Sequence, residues 1–78
     1  MQVTRAQHII DAWPSRQAVL EDARAARADL DLFAVHRWYQ RSSIPSRYWA
    51  ALVSGAQQRG IDVSVDDFLA AHAHRGAA

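Results

Sequence analysis

The chain contains no cysteine and no lysine. Without Cys there is no disulfide framework to brace a small fold and no thiolate for catalysis or metal ligation, so a reducing, cytoplasmic home is the expectation. Without Lys, all nine cations are Arg. A GC-rich genome accounts for that choice, but the planar fork of Arg also suits phosphate and guanine. The three Gly are isolated, which removes the Gly-rich phosphate loop from consideration. No apolar run approaches the roughly 20 residues of a membrane span, and the first residues lack the pattern of a secretion signal. Seventy-eight residues allow one domain with one small core. No internal repeat or domain boundary is visible.

Acid is absent from one place in particular. Between Leu32 and Ile61 there is no Asp or Glu, while Arg37, Arg41, Arg47 and Arg59 give that segment a charge of +4. The remainder carries five Arg against eight acids, −3, and the two give the net +1. A near-neutral total therefore conceals a basic middle. Most of the aromatics fall in the same middle, in "LFAVHRWYQRSSIPSRYW" from Leu32 to Trp49.

Apolar periodicity and punctuation predict an all-α bundle of about five short helices, with no convincing strand. Thr4 and Gln7 have capping-box spacing, so a first helix over 5–12 should bury Ile9, Ile10 and Trp13. Trp13-Pro14 stops it, and Ser15 can cap a second helix over 16–26 whose inward stripe is Ala18, Val19, Ala23 and Ala26. Asp31 can cap a third over 32–41, where Leu32, Val35, Trp38 and Tyr39 share one face. Pro45 suits the first turn of a fourth, which ends at Gly60 and turns Tyr48 or Trp49, Leu52, Val53 and Ala56 inward. Ser64 with Asp67, and Val63 with Phe68, mark the start of a fifth over 65–73. The tail 74–78 has no reason to be ordered.

If Leu32, Val35, Trp38 and Tyr39 are buried, the third helix presents Phe33, His36, Arg37, Gln40 and Arg41 together. Arg can read guanine, Gln adenine, and an apolar ring can touch a thymine methyl, so Phe33, His36, Arg37 and Gln40 are candidate base readers. Ser15, Arg16, Gln17, Arg41, Ser43 and Arg47 are candidate phosphate contacts from the flanking helix ends. In helix-turn-helix register, Val35 and Trp38 place Ala25 at the small position of the first helix, Leu30 after the turn, and Asp29 where Gly is common. Trp13, Trp38 and Trp49 are read as core. Catalytic readings find little: His72 and His74, two apart, lie about 200° apart on a helix and do not converge, and Asp66 and Asp67 complement a helix start.

Val35, Trp38, Arg41, Ile44, Pro45, Tyr48 and Trp49 fit the pattern V-x-x-W-x-x-R-x-x-IP-x-x-Y-W. In this the stretch from residue 9 to 71 resembles the small Cro/CI-like helix-turn-helix regulators of phage and proteobacterial type. The resemblance implies a compact all-helical domain that binds double-stranded operator DNA; because 78 residues leave little room for an activation surface or a water-excluding pocket, a transcriptional repressor and not an enzyme is the expectation. From the residues, no metal, cofactor, small-molecule ligand or membrane is expected, and the expected location is cytoplasmic and nucleoid-associated. A homodimer, at least on DNA, is expected from an apolar surface at Val63, Phe68 and Leu69. The competing expectation is a protein-interaction module of the same shape that docks on RNA polymerase or a phage component, for which Phe33 and the acidic remainder would be suited.

Overall fold

Two helices start on side chains that accept their free backbone N–H groups. In the computed structural model, which describes residues 5–76, Ser15 Oγ accepts from the Ala18 N–H at 3.1 Å and opens α2 (Arg16–Ala23). Asp31 Oδ1 accepts from the Ala34 N–H, also at 3.1 Å, and opens α3 (Leu32–Arg41). α1 (Ala6–Asp11) has no side-chain cap at Arg5. Thr4 lies outside the described residues, and the Gln7 amide donates instead to the Tyr39 carbonyl at 2.9 Å, so Gln7 ties α1 to α3. α4 (Trp49–Arg59) and α5 (Val65–Gly76) complete an all-helical bundle with no strand among the described residues.

Several boundaries differ from expectation for local reasons. α2 stops at Ala23, because the Ala25 and Ala26 N–H groups bond three residues back and tighten the chain into a turn. Ala25 and Ala26 are therefore exposed, and Ala25 does not supply the small contact expected against α3. The turn is closed by the Arg24 guanidinium, which donates to the Leu30 carbonyl at 3.0 Å, and Leu30 is buried beneath it. Pro45 keeps an extended ψ of 138°, so it precedes a 3₁₀ turn, Ser46–Tyr48, and the α-helix begins only at Trp49. α5 runs on through 76 where a frayed tail was expected; residues 77 and 78 lie outside the described residues. The expected start of α5 holds in half: Asp67 accepts from the Ser64 N–H at 2.9 Å, as a capping-box partner does.

α2 lies between α3 and α4, α1 packs on α3 and α5, and α4 also meets α5. One apolar cluster fills the centre, with Val19, Val35, Leu52 and Phe68 fully buried and Ile9, Ile10, Trp13, Trp38 and Tyr48 around them. Trp38 and Tyr48 meet at a 42° tilt with 4.8 Å between ring centroids. Val63 and Phe68 belong to this core, which leaves Val65 and Leu69 as the exposed large apolar residues of α5. The apolar surface expected from Val63, Phe68 and Leu69 is thus reduced and shifted by one turn.

The approach of α2 to α4 depends on Gly55. A Cβ at that position would overlap the carboxyl group of Asp22, so only Gly admits the contact. Asp22 fills the space with an ionic contact. Its Oδ2 accepts from Trp13 Nε1 at 2.6 Å and from Arg59 Nε at 2.8 Å, and Oδ1 accepts from Arg59 Nη2 at 3.2 Å. Burial acts to raise the Asp22 pKa; the Arg59 and Trp13 hydrogen bonds and the Arg59 charge outweigh it, and the group titrates below its ordinary value of 3.8.

Two outcomes follow from this core. Trp38→Ala should lower unfolding free energy by about 3–5 kcal/mol, a large share of what a small domain holds; urea denaturation checks it, and an unchanged midpoint would exclude the α3 orientation. For Asp22 the folded pKa is the lower one, so its contribution is present above about pH 4 and is lost as pH falls through the folded value. Asp22→Asn should therefore be less stable than the parent at pH 7, and the difference between their melting curves should shrink as pH falls below 3.8 through the lowered folded value.

Candidate nucleic-acid interface

With Val35 and Trp38 buried, the opposite side of α3 faces solvent. Phe33 is 74% exposed, an uncommon position for a Phe in so small a protein. Phe33, His36, Arg37 and Gln40 line one cleft, and Arg16 from the start of α2 completes it. The four candidate base readers are therefore brought together on one face. Arg16, expected as a backbone contact, joins them. Its Nη1 lies 2.8 Å from His36 Nδ1, and its guanidinium carbon sits 4.1 Å above the Tyr39 ring. Tyr39 is held in turn by Asp11, which accepts from its hydroxyl at 3.2 Å. No spacing in the sequence points to this grouping, since Arg16 and His36 are 20 residues apart.

The other candidates lie around the cleft rather than in it. Ser15 is exposed but its hydroxyl oxygen is engaged by its own helix. Gln17 and Arg41 are exposed near the beginning of α2 and the end of α3. Ser43 is half-buried, and its N–H donates to the Trp38 carbonyl at 3.0 Å. Arg47 is exposed, with its guanidinium 5.9 Å from the centre of the Tyr48 ring. Arg37 makes no ion pair among the described residues and also borders a second cleft, with Arg27, Asp29 and Asp31. The acid-free segment is thus not acid-free in space: Asp29, paired with Arg27 at 2.7 Å, and Asp31 stand beside Arg37. Arg59, counted in the basic middle, is engaged by Asp22 and Glu21 on the other side of α2.

The chain leaving α3 is fixed from two sides. Ser42 takes the left-handed conformation, φ 52°, and the Ser43 N–H reaches back to the Trp38 carbonyl, which closes the helix end. Two residues on, the backbone of Ile44 is clamped. Its N–H donates to His72 Nε2 at 2.8 Å, and its carbonyl accepts from Trp49 Nε1 at 2.8 Å. His72 Nδ1 donates to the Phe68 carbonyl at 2.7 Å, which makes Nε2 the acceptor, and the imidazole lies 5.0 Å from the Trp49 ring. His72, which the sequence marks only as failing to converge with His74, sets the path between α3 and α4. Periodicity from Phe68 and Ala71 contained that signal, because His72 is one helical turn past Phe68. Trp49, expected as core, is half-buried and works through its N–H as well as its ring.

No protein-family model matches the chain, and neither a curated protein nor a solved structure matches it. The arrangement of the side chains therefore carries the functional reading. No helix is long and apolar enough to cross a membrane, and no group of three metal-ligating side chains occurs among the described residues.

Replacing His72 by Ala leaves a buried N–H at Ile44 without its acceptor, which should cost about 1–3 kcal/mol. His72→Gln, whose carbonyl can still accept, should recover part of that loss. Equal melting temperatures for the parent and His72→Ala would show that the clamp contributes nothing.

Proposed function

We propose that the protein is a sequence-specific DNA-binding transcriptional regulator, acting as a repressor, with α3 in the major groove and α2, the turn and α3 serving as its helix-turn-helix. One observation carries the reading: a single cleft along the exposed side of α3 gathers an apolar ring, an imidazole, an arginine and an amide, in Phe33, His36, Arg37 and Gln40. These are the side-chain types that match base edges. Arg41 at the last position of α3, Arg47 beyond it, and Gln17 at the start of α2 are exposed and would supply phosphate contacts on either side. Such a protein works beside the nucleoid in the cytoplasm and needs no cofactor. Val65 and Leu69, exposed one turn apart on α5, support pairing of two copies on DNA. The likeness to Cro/CI-like regulators agrees with this reading and is not required by it.

A second reading has its own support. Asp29 and Asp31 beside Arg37, with Phe33 exposed, suit a protein partner that buries an aromatic anchor, such as a polymerase subunit. Ionic strength separates the two. DNA affinity falls steeply as salt rises, in proportion to the phosphates contacted, whereas a groove contact between proteins falls far less.

Arg37 and Arg47 are assigned different work, and their variants should behave differently. Arg37→Ala should cost about 1–3 kcal/mol on the operator and little on random duplex. Arg47→Ala should weaken both alike and reduce the salt slope by about one. Titrations on both DNAs at several salt concentrations, with folding checked by circular dichroism, read this out. Equal loss on both DNAs for Arg37→Ala would remove it from base readout, and folded variants with unchanged binding would exclude the surface.

A further inference from the structure

Arg16 has a position that neither a phosphate contact nor a surface charge requires. It extends from the first residue of α2, sits over the Tyr39 ring at 4.1 Å, and reaches His36 Nδ1 at 2.8 Å. A guanidinium carries only donors and keeps its proton in proteins, so His36 Nδ1 must accept. A ring that accepts at Nδ1 carries its hydrogen at Nε2, on the opposite edge. We infer that Arg16 is a positioning residue that fixes His36 as a hydrogen-bond donor, so that the middle of the α3 face presents donors alone and selects guanine there. This rests on the DNA-binding reading above.

The base edges explain the choice. His36 and Arg37 are neighbours in the cleft, and both now offer only N–H groups. In the major groove guanine shows two acceptors, N7 and O6, and no donor. Adenine and cytosine each show an amino group that would face the donors of His36 and Arg37, and thymine shows one acceptor beside a methyl. Gln40, with a donor and an acceptor, and Phe33, with neither, lie one turn to each side. From Phe33 to Gln40 the helix rises roughly 10 Å, about three base pairs of duplex. The guanine therefore belongs at the centre of the triplet and not at its ends. Without Arg16 the imidazole is free to turn or to present Nδ1–H, and Arg37 alone is left to choose the base.

The test uses the full chain in two measurements. A two-bond proton–nitrogen correlation spectrum of the free protein reports which ring nitrogen of His36 bears hydrogen, independently of any DNA. The expected pattern is Nε2–H in the parent, replaced by exchange between forms in Arg16→Met. Selection from a randomised duplex library, followed by titration of selected and random DNA, reports specificity. The parent should enrich a central guanine. Arg16→Met and His36→Phe should each lose about tenfold of the preference for it, and the double variant no more than either, because the two residues act as one unit. Because Arg16→Met also takes a cation out of the cleft, the readout is the ratio of affinity for central-guanine duplexes to affinity for the other sequences, which should fall beyond any loss shared by all of them. A slope lower by about one, with equal loss on all sequences, would make Arg16 a phosphate contact and overturn the inference. So would an Nδ1–H pattern in the parent, or additive losses in the double variant. Enrichment of a motif without central guanine overturns the inference alone, whereas failure to bind any duplex overturns the DNA reading with it.

Discussion

The carboxylate of Asp22 is the point on which the bundle turns. Three separate parts of the chain meet at it: the indole that follows α1, the last turn of α2, and the last residue of α4. An unpaired charge in that half-buried place would be costly, and the bidentate guanidinium with the indole N–H offsets the cost only while all three partners are present. Gly55 is what lets the carboxylate occupy the space between α2 and α4. A helix interior normally disfavours Gly by up to about 1 kcal/mol relative to Ala, so its presence in the middle of α4 reflects the requirement for close approach. Because α2 also supports α3, whatever fixes α2 against α4 fixes the outward face of α3 as well.

That face is held by a second set of contacts which differ in kind. Arg16, Tyr39, Asp11 and Gln7 form a chain of polar contacts running from α2 through α3 to α1. None of these residues is fully buried, so each contact alone contributes little. Their effect is to orient side chains more than to hold the fold. The core keeps α3 in place through Val35 and Trp38, and the polar chain fixes how His36 and its neighbours stand upon it. The buried contacts and the proposed recognition surface thereby lie on opposite sides of one ten-residue helix.

Helix α3 was legible in the sequence to its end residues, because a capping Asp, a sharp apolar stripe and a break at "SS" agree with one another. The five-helix count, the Ser15 cap and the Gly60 end were legible for the same reason: each is set by neighbours within a few positions. Where tertiary contacts decide, the sequence pattern misled. Ala26 fits the stripe of α2 but has nothing to pack on, so the helix ends early. Gln7 has the spacing of a cap but is taken by the Tyr39 carbonyl. His72 looked idle because its partner, the Ile44 N–H, is 28 residues away. The charge pattern misled in the same manner: Arg59 belongs to Asp22, and Asp29 and Asp31 fold back beside Arg37. The composition of the outward face of α3 was readable; the entry of Arg16 into it was not.

The covering of α1 by α5 bears on how the chain comes to be folded as it is made. Synthesis delivers α1 well before α5, and the apolar residues of α1, Ile9 and Ile10, share their core with Phe68. The passage from α3 to α4 likewise lacks its acceptor until residue 72 has emerged. Helices form locally and fast, but the contacts that join them here span most of the chain, and such contacts set the pace of folding. On the ribosome, therefore, α1 to α4 wait with apolar surface uncovered, open to chaperones or to a neighbouring nascent chain. Arrival of α5 covers α1 and supplies the acceptor for the Ile44 N–H together.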